Sequence, residues 1–167
     1  MARNASKPQR ARIEVAFMSN LSLHSSATAG PSPGASTVLV VDDDVSVRQT
    51  FSMVLEDLGY QVAVAVDGLD GLRKFHKIKP DVVLTDIIMP EKEGIGLITD
   101  MRHIRKDVKI IAMSGGGRLG NMDFVSVAVA LGANIGLHKP FDNDELASAV
   151  RTLLEPAQAA RAQALVA

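Results

Sequence analysis

The 167-residue sequence contains no cysteine and no tryptophan, and only 4% of its residues are aromatic. The lack of cysteine excludes disulfides, thiolate catalysis and cysteine-ligated zinc. The four histidines (His24, His76, His103 and His138) show no spacing typical of metal ligands. No apolar run approaches the roughly 18 residues that a membrane span requires. We therefore expect a soluble, cytoplasmic protein with no membrane partner.

Charge is distributed unevenly along the chain. The first 36 residues carry a net charge of +3 and the remainder carries −4, and a net-acidic globular part argues against a nucleic-acid surface. Residues 1–36 are rich in Ser and Ala, break at Gly30-Pro31-Ser32-Pro33-Gly34 and lack periodicity, so we expect a disordered leader. This leader is either similar to a transit peptide or an extension upstream of a true start at Met18.

Five short aliphatic or β-branched runs alternate with amphipathic helical patterns. The strand patterns cover 37–41, 61–66, the central stretch 81–90, 108–113 and 134–138, and the helical patterns cover 47–58, 69–75, 95–101, 118–131 and a last helix that starts after Asp142. Such alternation predicts right-handed crossovers and one α/β domain with a parallel sheet between two layers of helices. Residues 157–167 form an Ala-rich tail.

Two helices have clear start signals. Asp44 is the expected N-cap of the first helix. Before the last helix, Asp142 and Glu145 have the spacing of a capping box, with Phe141 placed to pack on Leu146.

Polar side chains follow four of the predicted strands. They are Asp42 and Asp43, Asp86, Ser114, and Lys139 just beyond the last strand. Each has an ordinary explanation, since an Asp or Ser at a strand end is often a turn residue and a lone Lys is usually a solvated charge. In a doubly wound sheet, however, the carboxyl ends of the strands converge on one edge, where such sheets hold ligands. We therefore expect these side chains to share a pocket.

The chemistry of that pocket indicates a phosphoryl group. Three crowded carboxylates repel one another unless a cation neutralises them. Oxygen ligands without His or Cys favour a hard ion such as Mg²⁺, which accepts one or two carboxylates, several waters and a phosphate oxygen. Lys139 adds a fixed positive charge and Ser114 a hydrogen-bond donor.

These residues carry a family resemblance. Val40-Val41-Asp42-Asp43, then Asp86-Ile87-Ile88-Met89-Pro90 with Gly94, Ser114, and Lys139-Pro140-Phe141 resemble the receiver domain of two-component response regulators, over about residues 37–156. The resemblance implies a flavodoxin-like, doubly wound sheet of five parallel strands in the order 2-1-3-4-5, with helices on both faces.

The resemblance also implies roles for single residues. Asp86 would be the phospho-acceptor, and Mg²⁺ would be held by Asp43, by Asp42 largely through water, by Asp86, and by the backbone carbonyl of Ile88. Ser114, Gly115 and Lys139 would form the phosphoryl-binding and switch group, and the Lys139-Pro140 peptide bond would be cis.

The resemblance, with no second domain pattern in the sequence, leads us to expect a stand-alone receiver. It would take its phosphoryl group from a histidine kinase or a histidine phosphotransfer protein, catalyse only its own phosphorylation and dephosphorylation, and change its binding to a downstream protein that the sequence does not name. Ser114 is expected to move towards the phosphoryl group and to draw the loop Gly115-Gly116-Gly117 with it.

The sequence departs from the family pattern at three places. Gly136 stands where the family usually has a switch aromatic, and the segment from Ser114 to Lys139 is a few residues longer than usual. Ile88 and Gly116 stand where polar side chains in other receivers help to orient the hydrolytic water. These departures concern the switch and the lifetime of the phosphoryl group.

Two other classes remain open. Asp42-Asp43-Asp44-Val45 also satisfies the Asp-x-Asp-x-Val motif of haloacid dehalogenase-like phosphatases, a reading that leaves Asp86 without a role. A degenerate receiver that only binds proteins is disfavoured because all five signature positions carry functional side chains. Finding which aspartate, 42 or 86, accepts phosphate separates the first class from a receiver.

Overall fold

The computed structural model describes residues 35–90, 93–115 and 123–166, with side chains up to residue 155. Strands and helices alternate throughout. The strands are β1 (Thr37–Val41), β2 (Gln61–Ala65), β3 (Val82–Asp86), β4 (Lys109–Ser114) and β5 (Ile135–His138). The helices are α1 (Val45–Asp57), α2 (Gly68–Ile78), α3 (Gly94–Ile104), α4 (Phe124–Ala130) and α5 (Asn143–Val166).

The five strands form one parallel sheet in the order β2-β1-β3-β4-β5, which confirms the predicted fold. The order reverses direction at β1, so the ends of β1 and β3 are neighbours. Val41 pairs with Thr85, and Asp86 pairs with Met113. This register places Asp42 and Asp86 on adjacent strands at the carboxyl edge of the sheet, where ligands bind in open α/β sheets.

Alternate residues of each strand face opposite layers of helices. Along β3, Val83 belongs to the core cluster shared with α2, α3 and α4, whereas Val82 and Leu84 belong to the cluster shared with α1 and α5. Both faces are therefore covered, which explains why the strands are continuous apolar runs rather than alternating ones.

The predicted start signals are present at α1 and α5. The Asp44 carboxylate accepts hydrogen bonds from the backbone N–H groups of Ser46 and Val47 at the start of α1. At α5 the Asp142 N–H donates to Glu145 Oε2 (3.0 Å) and the Glu145 N–H donates to Asp142 Oδ1 (2.8 Å), which completes a capping box. Phe141 packs against the core cluster that contains Leu146, and it also stacks on Phe51 of α1, with ring centroids 5.4 Å apart.

Helix α4 begins later than the sequence predicts. The pattern from Arg118 to Leu131 predicts a helix that starts at residue 118, but Asp123 is its N-cap and accepts from the Val125 N–H (3.1 Å). A capping residue has extended backbone angles, so the helix cannot run through it. The remaining residues of the predicted first turns, 118–122, lie outside the described residues.

The ends of the domain can be compared with the predicted boundaries only in part. Residues 1–34 lie outside the described residues, whereas Ser36, just before the predicted boundary at 37, is buried and its carbonyl accepts from the Gln61 N–H (3.0 Å). The backbone of α5 continues as a helix through the predicted tail to Val166. Over the part of the chain that the structure describes, no helix has the length and apolar composition needed to cross a membrane.

Candidate functional site: an aspartate–lysine pocket at the carboxyl edge of the sheet

Lys139 links the two buried aspartates. It follows β5, and its side chain crosses the end of β4 to place Nζ 2.8 Å from Asp42 Oδ2 and 2.7 Å from Asp86 Oδ1. Asp42 is 1% exposed and Asp86 is 6% exposed. Carboxylates this deeply buried need a partner, because water no longer solvates their charge. The sheet therefore brings together three residues that are far apart in the sequence.

Asp86 ends β3 and is fixed on both carboxylate oxygens. Oδ1 accepts from Lys139 Nζ, and Oδ2 accepts from the Ile88 N–H at 2.9 Å. The strand ends at Asp86, as expected for this carboxylate, and does not extend to the predicted stop at Met89-Pro90. The backbone turns after Asp86 so that the Gly94 N–H donates to the Ile87 carbonyl (2.9 Å). The turn leaves Asp86 at the carboxyl edge of the sheet, beside Lys139.

Asp42 has all of its backbone and side-chain polar atoms paired. Its N–H donates to the Ala65 carbonyl (3.3 Å), Oδ1 accepts from the Asp44 N–H (2.9 Å), and Oδ2 accepts from Lys139. Its own carbonyl accepts from Arg48 Nη1 at 2.5 Å. Each carboxylate oxygen of Asp42 already accepts one hydrogen bond and the side chain is buried, so this arrangement is compatible with a metal role through water.

Asp43 is oriented differently from its neighbours. Its side chain is exposed, and among the described residues its carboxylate has no hydrogen-bond partner. Asp44, the next residue, is occupied as the cap of α1, and its hydrogen bonds from Ser46 and Val47 lower the pKa of its carboxyl group. Of the three consecutive aspartates, Asp43 thus has the carboxylate that is open to a ligand.

Ser114 and Gly115 lie beside Lys139. Ser114 is the last residue of β4, is buried, and its carbonyl accepts from the Lys139 N–H at 2.7 Å. Gly115 lies along the lysine side chain, since a Cβ added there would be 3.8 Å from Lys139 Cδ. The peptide bond between Lys139 and Pro140 is cis. Gly116 and the remainder of the predicted switch loop to residue 122 lie outside the described residues.

The environment of Asp86 makes its carboxyl group a weaker acid than an exposed aspartate. Burial raises the pKa of its carboxyl group and the nearby Asp42 charge raises it further, while the Lys139 ammonium and the Ile88 N–H oppose the shift without cancelling it. Burial alone would lower the pKa of Lys139, but its hydrogen bonds to Asp42 and Asp86 outweigh burial and raise it. Lys139 is therefore a firmly charged ammonium between two carboxylates.

The donor set fits a hard divalent cation. Asp42, Asp43 and Asp86 bring three carboxylates against one ammonium, and the acceptors are all oxygen, which is the preference of Mg²⁺. Within 35–90, 93–115 and 123–155, no group of three or more His, Asp or Glu side chains is already arranged to hold a metal ion. The residues present can supply one or two carboxylates, and Mg²⁺ typically uses that number and keeps several waters.

Sequence reasoning missed one residue of this edge, Arg48. A single arginine on an amphipathic helix is usually a solvated charge. The only sequence signal for another role is the position of Arg48, one turn after the Asp44 cap. In the structure its guanidinium turns back to the strand end and binds the carbonyl of Asp42.

Comparisons with known proteins agree with this arrangement. A family model described as the response regulator receiver domain matches residues 38–151. The chain belongs to the response regulator receiver family. Receivers are the signalling modules of two-component systems, and the resemblance noted from the sequence is confirmed.

Individual relatives of this receiver have different lengths. The sporulation initiation phosphotransferase F of Bacillus subtilis is 35% identical over 117 residues, covering 70% of this chain and 92% of that protein. The chemotaxis protein CheY of Treponema pallidum is 34% identical over 132 residues, covering 76% and 90%. The probable transcriptional regulator ycf27 of Guillardia theta is 38% identical over 117 residues, but only 44% of its length is covered.

Solved structures give the same fold for this receiver. The response regulator receiver domain protein of Clostridium thermocellum superposes with a TM-score of 0.68 at 29% identity, covering 74% of this chain and 97% of that one. The Vibrio cholerae chemotaxis protein CheY4 superposes with a TM-score of 0.64 at 31% identity, covering 72% and 99%.

Proposed function

We propose that this receiver accepts a phosphoryl group on Asp86 from a histidine kinase or a histidine phosphotransfer protein, and that the modification changes its binding to a downstream protein. The observation that carries the proposal is the fixation of both Asp86 oxygens at a buried strand end, by the Lys139 ammonium and the Ile88 N–H. A side chain held in this way is presented to a ligand in one orientation, which is the main requirement for in-line attack.

In the proposed step an oxygen of Asp86 attacks phosphorus. A P–O bond to Asp86 forms while the P–N bond of a phosphohistidine donor breaks, and the electron pair of that bond stays on the imidazole nitrogen. Mg²⁺ held by Asp43, Asp86 and the Ile88 carbonyl, with Asp42 acting through water, would neutralise phosphoryl oxygens. Lys139 would add its fixed charge, and the Ser114 hydroxyl at the end of β4 would donate a hydrogen bond to the phosphoryl group.

The identity of the aspartate that accepts the phosphoryl group, Asp86 or Asp42, distinguishes a receiver from a haloacid dehalogenase-like phosphatase. Both carboxylates have both oxygens paired, so pairing alone does not distinguish them. Asp42 is 1% exposed and Asp86 is 6% exposed, so Asp42 is the less accessible of the two to a phosphoryl donor. This difference favours Asp86 as the nucleophile and a supporting role for Asp42.

The chain is proposed to act as a single receiver module. This is supported by its coverage of about the full length of the B. subtilis phosphotransferase and the T. pallidum chemotaxis protein. The 44% coverage of the probable transcriptional regulator gives the second candidate, the receiver part of a longer transcriptional regulator.

Incubation with acetyl phosphate tests the proposal. The purified full chain should gain the mass of one phosphoryl group with Mg²⁺ present and none with EDTA, and peptide mapping should place it on Asp86. Asp86→Ala should take up no phosphate, and Asp43→Ala should require far more Mg²⁺. Asp44→Asn, which keeps the α1 cap, is the matched control and should be labelled normally. Labelling of Asp42, or full labelling of Asp86→Ala, would overturn the assignment.

A further inference from the structure

Arg48 completes the bonding of the β1 end. The β1–β2 ladder finishes at the pair Val41–Ala65, and the last strand-like bond beyond it runs from the Asp42 N–H to the Ala65 carbonyl. Strand β2 ends at Ala65, so the ladder supplies no further donor for the Asp42 carbonyl. Arg48 reaches back from α1 and donates Nη1 to that oxygen at 2.5 Å.

The same arginine is tied to the β1–α1 connection by its backbone. The Arg48 N–H donates to the Asp44 carbonyl at 3.1 Å, the first helical bond of α1. The Asp44 N–H in turn donates to Asp42 Oδ1 at 2.9 Å. The connection of residues 42–44 is thus closed by contacts at both of its ends.

These contacts fix the two peptide planes on either side of Asp43. A peptide unit is planar, so holding the Asp42 carbonyl oxygen orients the whole unit that joins Asp42 to Asp43. Holding the Asp44 N–H orients the unit that joins Asp43 to Asp44. With both planes held, the direction of the Asp43 Cα–Cβ bond is set, although its carboxylate has no partner among the described residues.

We infer that Arg48 is a positioning residue that aims the Asp43 carboxylate at the cation site. The inference rests on the proposed function, in which Asp43 is the open ligand of Mg²⁺. A positioning group of this kind is expected to change metal affinity about 10-fold when it is removed.

A purely electrostatic role of Arg48 makes the opposite prediction. A guanidinium close to a cluster of carboxylates repels a cation, so its removal would tighten Mg²⁺ binding. The sign of the change in affinity therefore separates positioning from charge.

The experiment is a Mg²⁺ titration of the ¹⁵N-labelled full chain, with the dissociation constant read from amide chemical shifts. Arg48→Met keeps the length of the side chain without its donor and should weaken binding about tenfold. Arg48→Lys, which keeps a donor, should recover part of the loss. Gln49→Ala, at the neighbouring exposed position of α1, should bind as the wild type does.

Each outcome decides a different point. Unchanged or tighter Mg²⁺ binding by Arg48→Met overturns the positioning role and leaves the metal site intact. A wild-type chain that binds no Mg²⁺ overturns the metal site itself. Amide spectra of each variant report folding, and if Arg48→Met is unfolded, the dissociation constant of Arg48→Lys relative to Gln49→Ala decides the question, with equality overturning the inference.

Discussion

At the ends of β1 and β3 the side chains of the site are fixed by hydrogen bonds to charged groups, whereas α4 rests on β5 through close apolar packing. In the first region, Asp42, Asp86 and Lys139 form two charge-assisted bonds of 2.8 and 2.7 Å. In the second, Val125 is buried against the backbone of Gly136. We call these the charged region and the packed region.

The two regions differ in the freedom that their contacts allow. Hydrogen bonds between ions are directional, so they hold the charged region in one arrangement, as the proposed phosphoryl transfer requires. Apolar contacts are non-directional, so they allow α4 to shift over Ala112 and Gly136, which pair side by side on β4 and β5. A polar contact also joins the two elements, since Asp123 Oδ2 at the start of α4 lies 3.7 Å from His138 Nε2 on β5. We expect a signal that starts at Asp86 to be expressed in the packed region.

Gly94→Ala should break the charged region and have the largest effect on stability. A Cβ at residue 94 would collide with the Asp86 carbonyl oxygen and lie 2.7 Å from Ile87 Cα, and backbone atoms cannot swing aside as a side chain does. We expect a loss of about 3 kcal/mol in the free energy of unfolding, measured by urea denaturation.

Gly115→Ala is the matched control for this variant. Its Cβ would meet Lys139 Cδ at 3.8 Å, an ordinary contact. Stability of Gly94→Ala equal to that of Gly115→Ala would show that the turn after Asp86 is not tightly constrained.

Gly136→Ala tests the packed region, and we expect a smaller loss of about 2 kcal/mol. The added Cβ would collide with Val125 Cγ1 and lie 3.3 Å from Val129 Cγ2, both of which belong to side chains that can yield. In the double variant Gly136→Ala/Val125→Ala the collision is removed. Urea denaturation of the four proteins should give a favourable coupling on the order of 1 kcal/mol, whereas additive losses would contradict a direct contact.

The sequence was sufficient for the charged region because its signals are local. An apolar run that ends in Asp, or in Lys-Pro, identifies a strand end without knowledge of the partner strand, and the parallel topology then brings Asp42, Asp86, Ser114 and Lys139 to one edge. The contacts of Lys139 with both aspartates agree with that reasoning.

The packing of Val125 on Gly136 and the contact of Arg48 with Asp42 could not be predicted from local sequence signals. That Val125 fills the space over Gly136 depends on where α4 begins, and the sequence pattern placed that start at residue 118 rather than after Asp123. The role of Arg48 depends on β2 ending at Ala65, which leaves the Asp42 carbonyl without a ladder donor. Both facts are relations between elements that periodicity does not encode.

Ile88→Asn should alter the charged region without disturbing its bonds. The Ile88 N–H binds Asp86, but its side chain is 50% exposed and apolar, so it offers no atom to hold a water in line with an acyl phosphate. An amide there should speed loss of the phosphoryl group about tenfold, equivalent to ~1.4 kcal/mol of barrier. Phosphate release after removal of acetyl phosphate measures the rate. Leu69→Asn, a change at an exposed apolar position on α2, should release phosphate at the wild-type rate. Equal rates for the wild type, Ile88→Asn and Leu69→Asn would contradict the prediction.

The smallest effect is the pH dependence contributed by Asp86. Because burial raises the pKa of this carboxyl group above its unfolded value, the native state binds its proton more tightly than the unfolded state does. The folded state is therefore favoured below the unfolded pKa of about 4, and this contribution is lost as pH rises through the raised pKa. The opposing Lys139 ammonium and Ile88 N–H keep the effect small.

Asp86→Asn has no proton to lose at this position, so its stability relative to the wild type should increase as the pH is raised from about 3 to 7. Free energies of unfolding of the two proteins, measured in urea at each pH without Mg²⁺, give the comparison. Asp57→Asn, a change of the same kind at an exposed position at the end of α1, controls for the loss of one negative charge. A difference that falls with rising pH would mean that Lys139 outweighs burial, and Asp86 would then be held as a stable ion by the charged region.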